Sequence, residues 1–258
     1  MHYFPDFGSE FLPHRRPVVV WTPPGYERNS HRYPVFYLQD GQNLFDPATA
    51  FGGNPWRCDE TAERVIHEGS ARPMILVGVG NSPDRLQEYG PRREGPETNL
   101  AKPYGQFLTE ELKPFVDDNF RILPGPENTA VGGSSMGGLI ALQLCRWYPD
   151  VFGLCGAISP SLWWDHQAFL KAMKWRTRWI ERTRVWLDMG GREGSTPAAR
   201  EGNLLRARKL AIVFAKLGKR VGDDFQYLEV PDGEHNERDW GARFDQVLRF
   251  LFRPGWVV

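Results

Sequence analysis

Short apolar runs alternate with helical patterns along this chain, and this alternation is the feature that most restricts its fold. The predicted strands are Pro17–Trp21, Val35–Leu38, Met74–Val79, Thr129–Val131, Gly153–Ile158, Val185–Met189 and Phe225–Val230. Several of them are apolar almost throughout, which is typical of strands covered on both faces. Strands that alternate with helices predict an α/β fold, with a mostly parallel central sheet and helices on both faces.

Amphipathic patterns separate these strands. The predicted helices are Asp59–Glu68, Tyr104–Asn119, Leu139–Tyr148, Pro197–Leu217 and Asp239–Phe252. The early strands lie closer together, with turn signals such as PPGYERNSHRYP between them, so this edge of the sheet is predicted to be antiparallel. Ligands of such sheets bind beyond the carboxyl ends of the strands, so catalytic residues are expected directly after strands.

Size and charge restrict the organisation of the chain and its partners. Its 258 residues suit one large α/β domain over 1–258. The 32 basic residues balance 32 acidic ones, so nothing electrostatic favours nucleic acid or an anionic membrane as the partner. No apolar run is long enough to span a bilayer, and the N-terminus lacks a signal-peptide pattern. Three cysteines without metal-ligand spacing, Cys58, Cys145 and Cys155, suit reduced thiols, so we expect a cytoplasmic protein.

Residues 131–139, VGGSSMGGL, lie between a predicted strand and a predicted helix. They contain a G-x-S-x-G pattern with Ser135 at its centre and Ser134 at the preceding x position. A nucleophilic serine must project from a sharp strand-to-helix turn, and glycines on either side give the turn room. A phosphate-binding loop is the main alternative, but its Gly-Lys-Ser/Thr ending is absent here. We interpret Ser135 as the nucleophile, with the amide of Met136 as an oxyanion donor at the helix N-terminus.

A serine nucleophile needs a base and an acid. His235 follows the last predicted strand and precedes the last helix, which suits a base in the chain order Ser, acid, His. His166 is a weaker candidate, because it precedes every acid on the later strands. The acid is expected after the strand in RVWLDMGGREG, where Glu193 lies in the loop and Asp188 within the strand. We favour Glu193, whose loop position can reach the imidazole, and leave Asp188 open.

A second oxyanion donor is expected after an early strand. The predicted strand Val35–Leu38 continues into Asp40, Gly41 and Gln42. An Asp-Gly turn could direct the amide of Gln42 into the site, although a simple structural turn is the alternative.

Several motifs in order resemble the putative esterase family of α/β-hydrolases. The motifs are VVVWTPPGYERNSHRYPVFYLQDGQNLF, EYGPR, FLTEELKPFVDDNFRIL, VGGSSMGGLIAL and ISPSLWW, and the resemblance runs from about Val18 to His235. That family includes enterochelin esterase-like proteins, feruloyl esterases, S-formylglutathione hydrolases and mycolyltransferases. The chain is most similar to the metal-independent, enterochelin esterase-like branch, which implies an α/β-hydrolase fold.

The resemblance also implies roles for individual residues. The nucleophile and the base of the family fall on Ser135 and His235, and its acid falls on Glu193. Most relatives have Asp at this position, whereas the mycolyltransferases have Glu. The oxyanion amides of the family fall on Met136 and Gln42, and the R-x-x-E-Y stretch near its site falls on Arg85, Glu88 and Tyr89.

We therefore predict a serine carboxylic-ester hydrolase that acts on a small-molecule ester through an acyl-enzyme, with no metal and no cofactor. Residues expected to line the substrate pocket are Asp40, Arg85, Glu88, Tyr89, Trp163 and Trp164, and Trp56 is a further candidate for an aromatic wall. The segments Asn81–Tyr104 and Ser161–Trp179 are expected to cover the pocket. The alternatives are a thioesterase or acyltransferase with the same triad, and a non-catalytic scaffold that binds a ligand. The oligomeric state is not predicted.

Overall fold

The apolar runs form one eight-stranded sheet in a computed structural model, which describes residues 1–91, 99–173 and 178–255. The strands are β1 His2–Phe7, β2 Arg16–Trp21, β3 Val35–Gln39, β4 Ile75–Val79, β5 Thr129–Ser134, β6 Leu154–Ile158, β7 Arg184–Gly190 and β8 Phe225–Val230. All seven predicted strands are present. The largest difference lies in β5, which continues past the predicted end at Val131 to Ser134.

The sheet has the order β1-β2-β4-β3-β5-β6-β7-β8. Strands β3 to β8 run parallel to one another, whereas β2 is antiparallel to β4 and β1 is antiparallel to β2. The prediction of a mostly parallel sheet with an antiparallel early edge is therefore confirmed. Strand β1 was not predicted, because its sequence HYFPDF has no alternating pattern. Its proline, Pro5, is compatible with an edge strand, which needs fewer backbone donors.

The side chains of the central strands alternate between two apolar layers. In β3, Val35 and Tyr37 pack into one layer, and Phe36 and Leu38 pack into the other. We call these the first and the second core layer. Since both faces of β3 to β7 are buried, these strands are mostly apolar, as the sequence indicated.

Helices cover both faces of the sheet, as predicted. The helices are α1 Cys58–His67, α2 Arg85–Tyr89, α3 Ala101–Gln106, α4 Lys113–Asn119, α5 Met136–Trp147, α6 Trp164–Ala172, α7 Arg178–Arg182, α8 Pro197–Lys216, α9 Glu237–Gly241 and α10 Phe244–Leu251. A π-helical stretch, Phe107–Leu112, joins α3 to α4. Helices α2 to α8 pack on the first core layer, and α1, α9 and α10 pack on the second. None of the helices in the described ranges combines the length and the apolar character that a bilayer crossing requires.

The prediction of a single last helix, Asp239–Phe252, was wrong. The chain breaks between α9 and α10, where Arg243 has φ −114° and ψ 4°. Its side chain is buried and forms an ion pair with Asp188 on β7. The break therefore occurs where a charged side chain turns from the helix surface into the interior.

The sheet places a crevice between β3 and β5. From β3 the chain moves to β4 on one side, whereas β5 and the later strands lie on the other side. The carboxyl ends of β3 and β5 thus flank the point where the strand order reverses, which is where open α/β sheets bind ligands. The residues that follow these two strands are Asp40 and Ser135.

Candidate active site

Ser135 forms the whole turn between β5 and α5. The strand ends at Ser134 and the helix begins at Met136, so the turn is shorter than the sequence indicated. The backbone of Ser135 has φ 56° and ψ −120°, a region that non-glycine residues rarely occupy. The adjacent glycines allow close packing: a Cβ on Gly133 would lie 2.9 Å from the Cβ of Gln39. The pattern G-x-S-x-G therefore places a serine on a strained turn with no room for larger neighbours.

The structure brings Ser135, His235 and Glu193 together. The Oγ of Ser135 lies 3.0 Å from Nε2 of His235, and Nδ1 of His235 lies 2.7 Å from Oε2 of Glu193. His235 belongs to the loop between β8 and α9, and its ring packs edge-on against Trp240. Its side chain is 45% exposed, whereas that of Glu193 is 1% exposed. The imidazole can therefore meet a ligand from solvent, while the carboxylate cannot. His166, the weaker candidate base, is exposed near the start of α6, and within the described ranges no hydrogen bond joins it to Ser135.

Glu193 is anchored through its other oxygen. Its Oε1 accepts hydrogen bonds from the amide of Gly190 at 3.0 Å, from Nη2 of Arg243 at 3.3 Å, and from the hydroxyl of Ser159. Since these donors hold Oε1, Oε2 is directed at His235. A carboxylate with this many donors is well prepared to orient an imidazole.

Asp188, the alternative acid, lies beside this carboxylate but does not contact His235. Its Oδ1 accepts from Nη2 of Arg243 at 2.9 Å and from the amide of Ser159 at 3.1 Å. Its Oδ2 accepts from Nε1 of Trp186 at 2.7 Å. Burial by itself lowers the pKa of Arg243, but the carboxylates of Asp188 and Glu193 outweigh that effect and raise it. Arg243 therefore remains a cation beside two buried acids.

The two predicted oxyanion donors lie at the ends of neighbouring strands. Met136 is the first residue of α5, and Gln42 lies in a 3-10 turn, Gly41–Asn43, directly after β3. Within the ranges that the structure describes, neither amide donates a hydrogen bond to a protein acceptor. By contrast, the amide of Ser135 donates to the carbonyl of Ile158 at 3.0 Å. The amides of Met136 and Gln42 are thus available to a ligand.

The turn that carries Gln42 is held by an ion pair. Asp40 has a left-handed backbone, with φ 56° and ψ 48°, and Nε of Arg85 lies 2.7 Å from its Oδ1. The second guanidinium nitrogen, Nη2, donates to Oδ2 at 2.7 Å, and the Asn81 amide group donates to Oδ1 at 2.8 Å. Burial alone lowers the pKa of Arg85, but the Asp40 carboxylate outweighs it and raises the pKa. Asp40 and Arg85 were expected to line the substrate pocket. In the structure, their ion pair supports the Asp-Gly turn.

Glu88 and Tyr89 do not line a pocket in this structure. Both side chains have no exposed surface. Glu88 accepts two hydrogen bonds from the buried guanidinium of Arg16, each at 2.8 Å, and the Tyr89 hydroxyl accepts from the amide of Asp40 at 3.3 Å. The expectation that they contact substrate is corrected: the ion pair with Arg16 holds Glu88 in the interior, and the hydrogen bond with the Asp40 amide joins Tyr89 to the Asp40 turn.

The aromatic candidates have different surroundings. Trp163 is 49% exposed and lines the cleft that also contains His235, Arg192 and Arg200. Trp164 lines a separate groove on the surface of α5 and α6. Trp56 is buried and packs against Trp240, so of the three only Trp163 shares a cleft with His235. Residues 92–98 and 174–177 of the two expected covering segments lie outside the described residues.

Sequence reasoning missed three polar residues of this region. Ser161 Oγ lies 3.2 Å from Ser135 Oγ, and Ser159 and Arg243 hold the two acids. Ser159 and Ser161 directly follow β6, so the expectation of functional residues after strands already pointed to them. Arg243 has no such signal, because an arginine within a predicted amphipathic helix is typical of its solvated face. Among the described residues, no group of three or more His, Cys, Asp or Glu side chains is arranged to hold a metal ion.

Comparison with known proteins agrees with this architecture. The family model described as putative esterase matches residues 9–251. The uncharacterized protein YbbA of Bacillus subtilis (strain 168) is 25% identical over 258 residues, covering 95% of each chain. The ferri-bacillibactin esterase BesA of the same organism is 28% identical over 157 residues, 54% of this chain and 51% of that protein. The crystal structure of the BES protein from Bacillus cereus has a TM-score of 0.74 at 22% identity, covering 99% of this chain and 95% of that one.

Proposed function

Because the chain belongs to the putative esterase family of α/β-hydrolases, we propose that it hydrolyses carboxylic esters with Ser135 as nucleophile, His235 as base and Glu193 as the orienting acid. The observation that carries this proposal is the pair of contacts on one imidazole. Ser135 Oγ lies 3.0 Å from Nε2 and Glu193 Oε2 lies 2.7 Å from Nδ1. A carboxylate on Nδ1 keeps the proton there, which leaves the Nε2 lone pair free to accept the serine proton.

The reaction proceeds in two halves. His235 takes the hydroxyl proton as Ser135 Oγ attacks the acyl carbon, and Glu193 stabilises the imidazolium that forms. His235 then gives the proton to the leaving alkoxide, so that an alcohol departs and an acyl-enzyme remains. Water enters on the exposed side of His235, loses a proton to it and attacks the ester carbonyl. The acid is released and Ser135 regains its proton.

The amides of Met136 and Gln42 stabilise the negative oxygen of each tetrahedral intermediate. Both come from residues adjoining the ends of strands that pair with each other, β5 and β3. Removal of one oxyanion donor from a serine hydrolase typically costs about 3 kcal/mol of transition-state stabilisation. The support of Asp40 by Arg85 and Asn81 keeps the second donor in place.

The substrate is a small-molecule ester. Siderophore esterases are among the relatives of this chain, and BesA is one that matches about half of it. A siderophore ester is therefore the first substrate class to test, followed by aryl esters and thioesters. A hydrolase releases the free acid from these substrates. An acyltransferase instead forms a new ester or amide when an acceptor is supplied, so product analysis distinguishes the two.

Active-site labelling tests the proposal. Wild type, Ser135→Ala and Ser134→Ala are treated with a fluorophosphonate, which phosphonylates activated serines, and their intact masses are measured. We expect one adduct on wild type and on Ser134→Ala, and none on Ser135→Ala. We also expect Ser135→Ala to hydrolyse p-nitrophenyl butyrate at least about a thousandfold more slowly than wild type. A folded wild type that gains no adduct would contradict the proposal and favour a non-catalytic scaffold.

A further inference from the structure

Three buried charges lie on the Nδ1 side of His235. The side chains of Asp188, Glu193 and Arg243 are 0%, 1% and 3% exposed. Two carboxylates and one guanidinium leave one negative charge without a buried partner. His235 completes this cluster, because its protonation brings the formal charge of the four groups to zero.

One nitrogen atom connects the cluster. Nη2 of Arg243 lies 2.9 Å from Asp188 Oδ1, 3.3 Å from Glu193 Oε1 and 2.6 Å from Ser159 Oγ. Because Ser159 accepts from Arg243, its own hydroxyl proton is free for a carboxylate oxygen, and both Asp188 Oδ1 and Glu193 Oε1 are within reach. Each member of the cluster therefore has at least one hydrogen-bond partner within it, and among the described residues Nε of Arg243 has none.

We propose that Arg243 and Asp188 are positioning residues that act through Glu193. In this arrangement Arg243 fixes the Glu193 carboxylate so that Oε2 faces His235, and Asp188 supplies the negative charge that balances Arg243. The proposal rests on the proposed function, in which His235 alternates between neutral and cationic forms. It predicts opposite electrostatic effects for the two residues: loss of the Asp188 charge disfavours the imidazolium, and loss of the Arg243 charge favours it.

Other charged groups lie near His235, and they stay constant in the variants below. Arg192 from the loop after β7, Arg200 from α8 and Glu234 from the His235 loop line the same cleft as His235. Glu237 on α9 interacts electrostatically with His235, and also with Asp40 and Arg85. A change that follows only the Asp188 or Arg243 substitution is therefore assigned to the buried cluster.

Nuclear magnetic resonance on the full chain measures the titration midpoint of the His235 imidazole. The measurement uses a Ser135→Ala background, so it does not depend on activity. We expect Asp188→Asn to lower this midpoint by about one pH unit and Arg243→Gln to raise it by a similar amount. The double variant Asp188→Asn with Arg243→Gln restores the formal charge and is expected to titrate near the parent protein. The control is Arg249→Gln, which removes the same charge from a partly exposed site on α10 and is expected to leave the midpoint unchanged.

Activity provides the second readout. With Ser135 present, the acid limb of kcat/KM for p-nitrophenyl butyrate is expected to move in the same directions as the midpoint. Arg243→Lys keeps the charge but loses the planar guanidinium with its paired donors. We therefore expect the acid limb of kcat/KM to stay at the same pH and kcat to fall about tenfold. If Arg243→Gln does not fold, the measurements on Asp188→Asn and Arg243→Lys test the proposal.

The outcomes are distinguishable. The proposal would be overturned if Asp188→Asn and Arg243→Lys both had the same His235 titration midpoint and the same acid limb of kcat/KM as Arg249→Gln, with unchanged kcat. The cluster would then have a structural role only. A wild type that a fluorophosphonate does not label contradicts the proposed function instead. In that case the imidazole titration still measures whether the cluster controls His235.

Discussion

Ser135 combines its proposed catalytic role with an unfavourable backbone conformation. Its φ of 56° and ψ of −120° cost a non-glycine residue on the order of 1–3 kcal/mol, which the packing of β5 and α5 must offset. Glycine tolerates this conformation, although its larger freedom in the unfolded chain costs about 0.5–1 kcal/mol. The strain comes from the backbone conformation at residue 135, so we expect it to remain in Ser135→Ala, which removes only the hydroxyl.

We therefore expect Ser135→Gly to be more stable than Ser135→Ala by about 1 kcal/mol, with both variants inactive. For a chain of this size the difference corresponds to about 2–4 °C in Tm. Calorimetry or urea unfolding of the two variants, side by side, measures it. An alanine variant as stable as the glycine variant would contradict the argument that the turn stores strain.

Local patterns indicated some residues of the candidate site and not others. Ser135 and His235 are each marked by their immediate neighbours, a glycine pattern in one case and a position after the last strand in the other. Glu193 and Asp188 follow the same strand, so only the folded chain shows which carboxylate contacts the imidazole. Arg243 meets its partners from 50 to 84 residues away, a distance over which the sequence carries no pairing signal.

At the scale of elements, helix α1 begins with a carboxyl group in an unfavourable environment. Asp59 lies in its first turn, and its Oδ1 is buried without a hydrogen-bond partner in the described part of the chain. Burial, and after it the neighbouring Glu60, raises the pKa of Asp59 from 3.8 to about 6. A negative charge near a helix N-terminus is normally stabilising, but here desolvation is the larger effect.

The raised pKa of Asp59 predicts a pH-dependent gain from Asp59→Asn. Because the folded chain holds this proton more tightly than the unfolded chain, the wild type loses stability as pH rises from about 4 to about 6. We expect Asp59→Asn to raise the free energy of unfolding at pH 7.5 and to change it less at pH 4.5. Urea unfolding at both pH values measures this, with the exposed Asp118→Asn as the control. An equal gain at the two pH values would show that the effect is not one of ionisation.

The elements differ in how far their sequences predict them. Strands β3 to β7 are buried on both faces, so their apolar runs are unmistakable. Strand β1 is mostly exposed and has no such pattern. The last helical pattern is strong over Phe244–Leu251, but it does not reveal the break before it. At that break Arg243 forms a tertiary ion pair with Asp188, a contact that local propensity does not encode.

At the scale of the whole molecule, the sheet order could not be predicted from the alternation of strands and helices. Alternation implies parallel strands and crossovers, but not that β4 lies beyond β3 while β5 lies on its other side. This reversal creates the crevice where Ser135 and the Asp40 turn meet. The placement of the candidate site is therefore a property of the topology, whereas the chemical types of its residues are readable in the sequence.

The two core layers share the same strands, which bears on whether the chain is one cooperative unit. Alternate residues of β3 enter opposite layers, so neither layer can open without exposing one face of the sheet. Three buried free thiols report on these layers: Cys58 on α1 in the second layer, and Cys145 and Cys155 in the first. Their burial protects them from a thiol reagent until the chain opens.

We propose that residues 1–258 form one domain and expect the layers to open together. Variants that retain only Cys58 or only Cys155, with the other cysteines replaced by alanine, are labelled with a thiol reagent over a range of urea concentrations. One cooperative unit requires equal opening free energies at the two thiols, and both must equal the free energy of global unfolding from circular dichroism. If Cys58 becomes reactive at a lower urea concentration than Cys155, then α1, α9 and α10 separate from the sheet first, and the second layer is a distinct unit of lower stability. Equal values mean that the sheet transmits the loss of either layer to the other, because strands β2 to β8 contribute side chains to both layers.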